Sequence, residues 1–273
     1  MLERLTLYLS YYFKAQTKYK IHSPFVFDLF MSISDMDKEY YCFQEIEKLR
    51  RKLIENKEEI TFKEMGAGSK VFDSKINKRR VCDIAKTSLS SRNECRTIFN
   101  IVNTLKPNNI LELGTSLGLA TTYMACAKPS AHILTVEGNK GVLEIAYQIW
   151  GEMQLQNVTA LNGKFEDLLP AIVDAHHDLD MIYIDGNHTY EATINYFKMS
   201  APLIAKNKGC IIFDDIHWSE EMYFAWQEIL QDYRVTLSIE LFDLGIVFFN
   251  PIAPKQDFAL IDFWKKPWQI GLF

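Results

Sequence analysis

The chain has 273 residues, 48% hydrophobic and 24% charged, which is enough for one large α/β core with an appendage and too little for two full ones. A formal net charge of -5 leaves no overall positive field to gather phosphate backbones, which argues against nucleic acid as a partner and favours small molecules. The five cysteines, Cys42, Cys82, Cys95, Cys126 and Cys210, contain no C-x-x-C pair; their odd number argues against a disulfide framework or structural zinc site, and a reducing cytoplasm is expected.

The first residues, MLERLTLYLSYYFKAQ, lack the basic start, long apolar run and small-residue cleavage site of a signal peptide. No segment has the ~18 uncharged apolar residues of a membrane span. Residues 1–95 read as a helical cap or lid: aromatic helices, the charged helix EIEKLRRKLIENKEE, then GAGSKVFDSKINKRR as a loop. Within it His22 is either a lid-packing residue or an acceptor contact. KEMGAGSK at 63–70 imitates a ligand-binding glycine loop, but Asp73, Lys75, Asn77, Lys78, Arg79 and Arg80 follow it in place of an apolar helix. That context makes it a lid turn whose basic cluster is either a solvated face or a binding site for an anionic acceptor. TSLSSRNECRTIFNIVNTL is expected to form a helix stopped by Pro107.

Residues 96–273 form the main domain. From Asn109 onward, apolar runs alternate with amphipathic stretches, the rhythm of a parallel sheet covered by helices on both faces. The strands are NILEL, HILTVE, NVTALN, LDMIYID and GCIIFDD, with helices near 118–127, 140–153, 166–175, 189–204 and 218–231. RVTLSIELFDLGIVFFN then reads as an antiparallel hairpin turning at Asp243, Leu244 and Gly245. The fold expected is Rossmann-like, doubly wound α/β, with a mostly parallel seven-stranded sheet, this hairpin, and the N-terminal helical cap. In the tail DFWKKPWQIGLF, Trp264, Trp268 and Phe273 are expected to pack on their own domain rather than meet a lipid interface.

In ILELGTSLG a buried strand ends at Leu113, Gly114 turns, and Gly118 lets the next helix start close to the sheet, aiming backbone N–H groups at a ligand. The G-x-x-x-G spacing differs from the dinucleotide G-x-G-x-x-G. Glu112 sits where a carboxylate could face a cationic ligand, and Glu137, ending the second strand, could accept ribose hydroxyls.

On these residues 109–250 resembles the class I methyltransferase domain, LELGTSLG being similar to its first motif and TVEGN to its ribose-binding acid. The resemblance implies S-adenosylmethionine as cofactor, with Gly114, Thr115, Ser116 and Gly118 at the methionine end and Glu112 beside them. It places Glu137 and Gly138 at the ribose, Gly163, Lys164 and Phe165 at the adenine, and Asp185 at the edge. Ala120 stands where related O-methyltransferases often carry a Ser, so that contact has to come from elsewhere.

Asp185 ends the fourth strand, and Asp214 and Asp215 the fifth. Neighbouring strands would gather the three carboxylates, which then either stay partly protonated or hold a hard cation such as Mg²⁺, Mn²⁺ or Ca²⁺. His188, in DGNHTYE, stands at a helix start, where the imidazolium is disfavoured and a general base is expected. The set resembles metal-dependent small-molecule O-methyltransferases of the catechol and caffeoyl type, and more closely the antibiotic-sugar type. By that likeness Asp185, Asp214 and Asp215 match metal ligands, with Asp185 and His188 catalytic. His217 and Trp218 are expected to shape the pocket, and His176 and His177 receive no role. The rival readings are a nicotinamide-dependent oxidoreductase, whose signature is missing, and a fold relic without catalysis. A small-molecule acceptor is the expected partner, without nucleic acid or membrane, and a homodimer is left open.

Overall fold

The computed structural model describes residues 2–63, 76–249 and 254–269. Its elements, in chain order, are α1 (Leu2–Lys14), α2 (Pro24–Ser34), α3 (Phe43–Glu55), β1 (Glu59–Lys63), β2 (Ile76–Arg80), α4 (Val81–Ser88), α5 (Arg92–Leu105), β3 (Asn109–Leu113), α6 (Leu119–Ala127), β4 (His132–Glu137) and α7 (Lys140–Glu152). They continue with β5 (Val158–Asn162), α8 (Phe165–Ala175), β6 (Met181–Ile184), α9 (Tyr190–Asn207), β7 (Cys210–Asp214), α10 (Glu220–Gln231), β8 (Leu237–Glu240), β9 (Leu244–Phe248) and β10 (Gln256–Ala259). The five strands expected from Asn109 to Asp215 and the helices after them are all present within a few residues of their expected bounds.

The chain divides into two compact units, 35–168 and 1–34 with 169–273; this division does not follow the expected boundary at residue 95. In the unit 35–168, β3, β4 and β5 run parallel in that order. Their core joins the front segment: Phe43, Ile46, Leu49 and Leu53 from α3 lie in one buried cluster with Leu117, Tyr123, Ala146 and Trp150. The i, i+3, i+6 and i+10 spacing of those α3 residues is the apolar stripe of a helix. α5 starts late because Ser91 caps it, its hydroxyl accepting from Glu94 N at 3.3 Å while the Glu94 carboxylate accepts from Ser91 N at 2.5 Å. It stops at Lys106, which takes φ 53° just before Pro107. Lys78, Arg79 and Arg80, expected in a loop, belong instead to β2, paired antiparallel with β1. The glycines expected as a lid turn, Gly66 and Gly68 with Ser69, and the residues Asp73 and Lys75 lie outside the described residues, as does Phe273.

In the other unit, β6 and β7 are parallel, β9 is antiparallel to both β7 and β8, and β10 adds parallel to β8. β10 is a strand beyond the expected seven, short and polar enough to leave no apolar signal. The hairpin turns at residues 241–243, Leu241 N donating to Leu244 O at 2.8 Å. Gly245, expected in the turn, lies inside β9, where a Cβ would stand 2.7–2.9 Å from the Trp226 ring. Below that ring the Glu240 carboxylate, 4% exposed, accepts from Trp226 Nε1 at 3.0 Å and Lys14 Nζ at 2.9 Å. All five cysteines are buried free thiols. No helix among the described residues is long and apolar enough to cross a membrane.

Glu240→Ala strands the buried Trp226 N–H and removes the partner of Lys14, so a loss of ~1–3 kcal/mol is expected for the indole alone. Urea unfolding of the two proteins checks it; an unchanged midpoint would remove Glu240 from the scaffold.

Candidate functional site

The glycine loop is built on three left-handed residues. Gly114 (φ 113°) turns the chain out of β3 and donates to Val136 O at 3.0 Å, Ser116 has φ 48°, and Gly118 (φ 80°) caps α6. A Cβ at Gly118 would stand 2.8 Å from Ala146 Cβ and 2.9 Å from Trp150 Nε1, whose N–H donates to Gly118 O at 3.2 Å. Only glycine meets both the dihedral and the close approach of α7.

The loop closes on Glu137. Its carboxylate, at the end of β4, accepts from Ser116 N at 2.9 Å and Asn139 N at 2.8 Å. Ser116 Oγ donates to Ser88 O at the end of α4, 3.1 Å away, so the front segment reaches the loop. Behind the acid, Asn162 Nδ2 donates to the carbonyls of Glu137 (2.8 Å) and Gly138 (3.2 Å), and Gly163 N donates to Glu137 O at 3.1 Å. Lys164 is exposed and its carbonyl receives Asp167 N and Leu168 N at the start of α8, whose first residue is the half-buried Phe165. The expected residues Gly114, Ser116, Glu137, Gly138, Gly163, Lys164 and Phe165 thus all keep some exposure at strand ends or just beyond.

Two of the expected residues are buried. Glu112 is fully buried and its Oε2 accepts from Thr121 Oγ1 and Thr135 Oγ1, both at 2.6 Å; it braces β3 against β4 and α6 instead of standing open to a ligand. Thr115 is 2% exposed and its hydroxyl lies 2.5 Å from that of Thr135, so its side chain is structural. Asn139 and Asn162, missed in the sequence, carry no signal beyond their places just after β4 and at the end of β5; Asn139 also caps α7, its side chain accepting from Val142 N.

The acids and histidine lie in the other unit. Asp185 follows β6, its Oδ2 3.3 Å from the donating Tyr183 hydroxyl and its Oδ1 3.7 Å from His188 Nε2. His188 stands one residue before Thr189, the cap of α9, and Asn187 beside it has φ 51°. Asp214 ends β7 at 9% exposure; Asp215 turns at φ 55°. Burial pushes the Asp215 carboxyl above the usual carboxylate range; His188 draws it down, Asp185 and Asp243 push it up, and Arg4 draws it down. Arg4 is held by Asp243 at 2.7 Å and lies over the Trp218 ring.

The donor set expected for a divalent ion does not fit. No group of three or more His, Cys, Asp or Glu among the described residues is arranged to hold a metal. Near Asp215 the chain's own Arg4 supplies positive charge. His217 also departs from its expected pocket role: it is 1% exposed, its Nδ1 is 2.6 Å from Phe242 O, and its ring stacks on Phe242. Trp218 is 57% exposed and His22 is exposed.

With this geometry in hand, residues 111–216 match the model of a methyltransferase domain family. The O-methyltransferase hkm8 of Aspergillus hancockii is 26% identical over 153 residues, which cover 54% of this chain and 59% of that protein. The chain therefore spans less than two thirds of that relative. Among solved structures, the S-adenosylhomocysteine-bound methyltransferase PaMTH1 of Podospora anserina aligns with a TM-score of 0.57 at 14% identity, covering 84% of this chain and 97% of that one. An O-methyltransferase from Bacillus cereus in complex with S-adenosylhomocysteine gives 0.57 at 16% identity over 82% and 97%. These likenesses show that the chain has the methyltransferase fold.

Gly118→Ala imposes a left-handed alanine and an overpacked contact with α7, an expected cost of ~2–4 kcal/mol. Chemical denaturation of the variant measures it, and a wild-type midpoint would show that the loop tolerates a side chain there.

Proposed function

We propose that this chain is an S-adenosylmethionine-dependent methyltransferase that methylates an oxygen of a small hydroxylated acceptor. The observation that carries the reading is the closure of the Gly114–Gly118 loop on the Glu137 carboxylate. The residues fit the cofactor: a strand-end acid to receive ribose hydroxyls, and partly exposed glycines at 114, 138 and 163 where a ligand can lie against backbone. When bound, S-adenosylmethionine supplies a methyl group already activated by its sulfonium.

The protein's task is then alignment and proton removal. The acceptor oxygen attacks the methyl carbon in line, the C–S bond breaks with its electron pair going to sulfur, and the hydroxyl proton passes to His188. Asp185 faces Nε2, which orients the ring and leaves Nδ1 to take the proton. Mg²⁺ assistance was part of the expectation, but the acids do not form its donor set, so no step runs through an ion. Five buried thiols suit a reducing cytoplasm.

Calorimetry with S-adenosylhomocysteine should show binding that Glu137→Ala weakens about 10- to 150-fold, the worth of charge-assisted hydrogen bonds to two hydroxyls. Unchanged affinity, or tight NADH binding by the wild type, would sink the assignment. With an acceptor found by screening for S-adenosylhomocysteine release, His188→Ala should slow turnover about 10²- to 10⁴-fold and leave cofactor affinity alone. Turnover in excess EDTA decides the ion: survival follows from the base reading, whereas loss restored by Mg²⁺ would return the metal to the mechanism.

A further inference from the structure

The C-terminal tail is firmly tied down, yet its large rings face outward. Tyr12 Oη donates to Lys265 O at 3.0 Å, Thr17 Oγ1 to Gln269 O at 3.1 Å, and the buried Lys266 Nζ to Ala15 O at 2.7 Å. These bonds fix residues 263–269 against the end of α1. Trp264 nevertheless remains 64% exposed and Trp268 68%, with Phe13 at 78% beside them. The expected packing of Trp264 and Trp268 on their own domain is thus partial: the backbone docks, Trp268 meets Tyr12 edge-on, and both indoles stay largely exposed.

The exposed rings fall in two contacting groups on the docked segments. Tyr12 contacts both Phe13 (6.0 Å) and Trp268 (6.1 Å), and Tyr19 meets Phe263 edge-on at 6.3 Å. Lysines are interleaved: Lys18 Nζ sits 4.8 Å from the Phe263 ring centre, and Lys265 Nζ 5.0 Å from that of Trp264. Of the five lysines in residues 12–20 and 262–269, Lys266 is buried and Lys14 pairs with Glu240, which leaves Lys18, Lys20 and Lys265 beside a single acid, Asp262, in a chain whose formal net charge is -5. An exposed aromatic patch of this kind marks an interaction surface, since lone exposed apolar residues are ordinary and contiguous ones are not. Amphipathic indoles beside lysines match the boundary between lipid headgroups and acyl chains, where the ring enters and the ammonium stays with phosphate.

We propose that this surface, Phe13, Tyr19, Phe263, Trp264 and Trp268 with Lys18, Lys20 and Lys265, rests the protein on an anionic phospholipid interface. The surface binds peripherally and does not span the bilayer. It stands independently of the methyl-transfer reading.

Co-sedimentation of the full chain with phosphatidylcholine vesicles, with and without phosphatidylserine, tests it. The wild type should partition to the anionic vesicles and be released by salt. W264A/W268A should lower partitioning at least about tenfold, and Lys18→Ala about fivefold on anionic vesicles alone. A second variant, W264F/W268F, keeps ring packing against folding losses; brominated phospholipid should quench wild-type tryptophan emission and leave this variant unquenched. No vesicle binding, or quenching equal in both proteins, would overturn the proposal. So would a wild-type dimer in sedimentation equilibrium that W264A/W268A converts to monomer, since the patch would then be covered by a second copy.

Discussion

The candidate cofactor site rests on one carboxylate. Glu137 receives the N–H groups of Ser116 and Asn139, and so joins the turn after β3 to the turn after β4. Those donors sit where helices begin, and an acid there is favoured by their unpaired N–H groups and dipoles. Around this tie the rest of the loop is dictated by space: Gly118 lies under Trp150 and Ala146, and Glu112 braces Thr121 and Thr135 from inside. A ligand approaching the strand ends meets a preformed acid and two turns with little left to order, which lowers the entropic cost of binding.

The scaffold was readable wherever a physical period produced it. β3, β4 and β7 declare themselves as apolar runs, and the helices from α7 to α10 as amphipathic stretches, because burying a sheet on both faces demands those patterns. β1, β2 and β10 were not legible. INKRR and QDFA are polar, and their pairing depends on a partner strand rather than on any apolar face. Gly245 was misplaced for a related reason: a glycine reads as a turn, whereas here its missing side chain makes room for Trp226.

The site was legible in part. Glu137 and the glycines followed from strand-end position, which open α/β folds use for ligands. The burial of Glu112 and Thr115 is not announced by their places near the end of β3 and in the turn after it. The acids were read as a metal set from their places at neighbouring strand ends and from the family likeness. Charge of one sign calls for a counter-charge, but Arg4, 181 residues before Asp185 in sequence, supplies some of it from α1 through Asp243. No local pattern announces such a partner.

Methyl transfer itself is the most direct test of the account. Incubating the protein with S-adenosylmethionine carrying a ¹³C-labelled methyl group and a panel of catechols, glycosides and hydroxylated acids, then weighing the products, reads the reaction without assumption about the acceptor. The account predicts one acceptor class gaining a single labelled methyl on oxygen, matched mole for mole by S-adenosylhomocysteine. Tight cofactor binding with the label transferred to nitrogen or carbon, or with no labelled product from any hydroxylated compound, would contradict it.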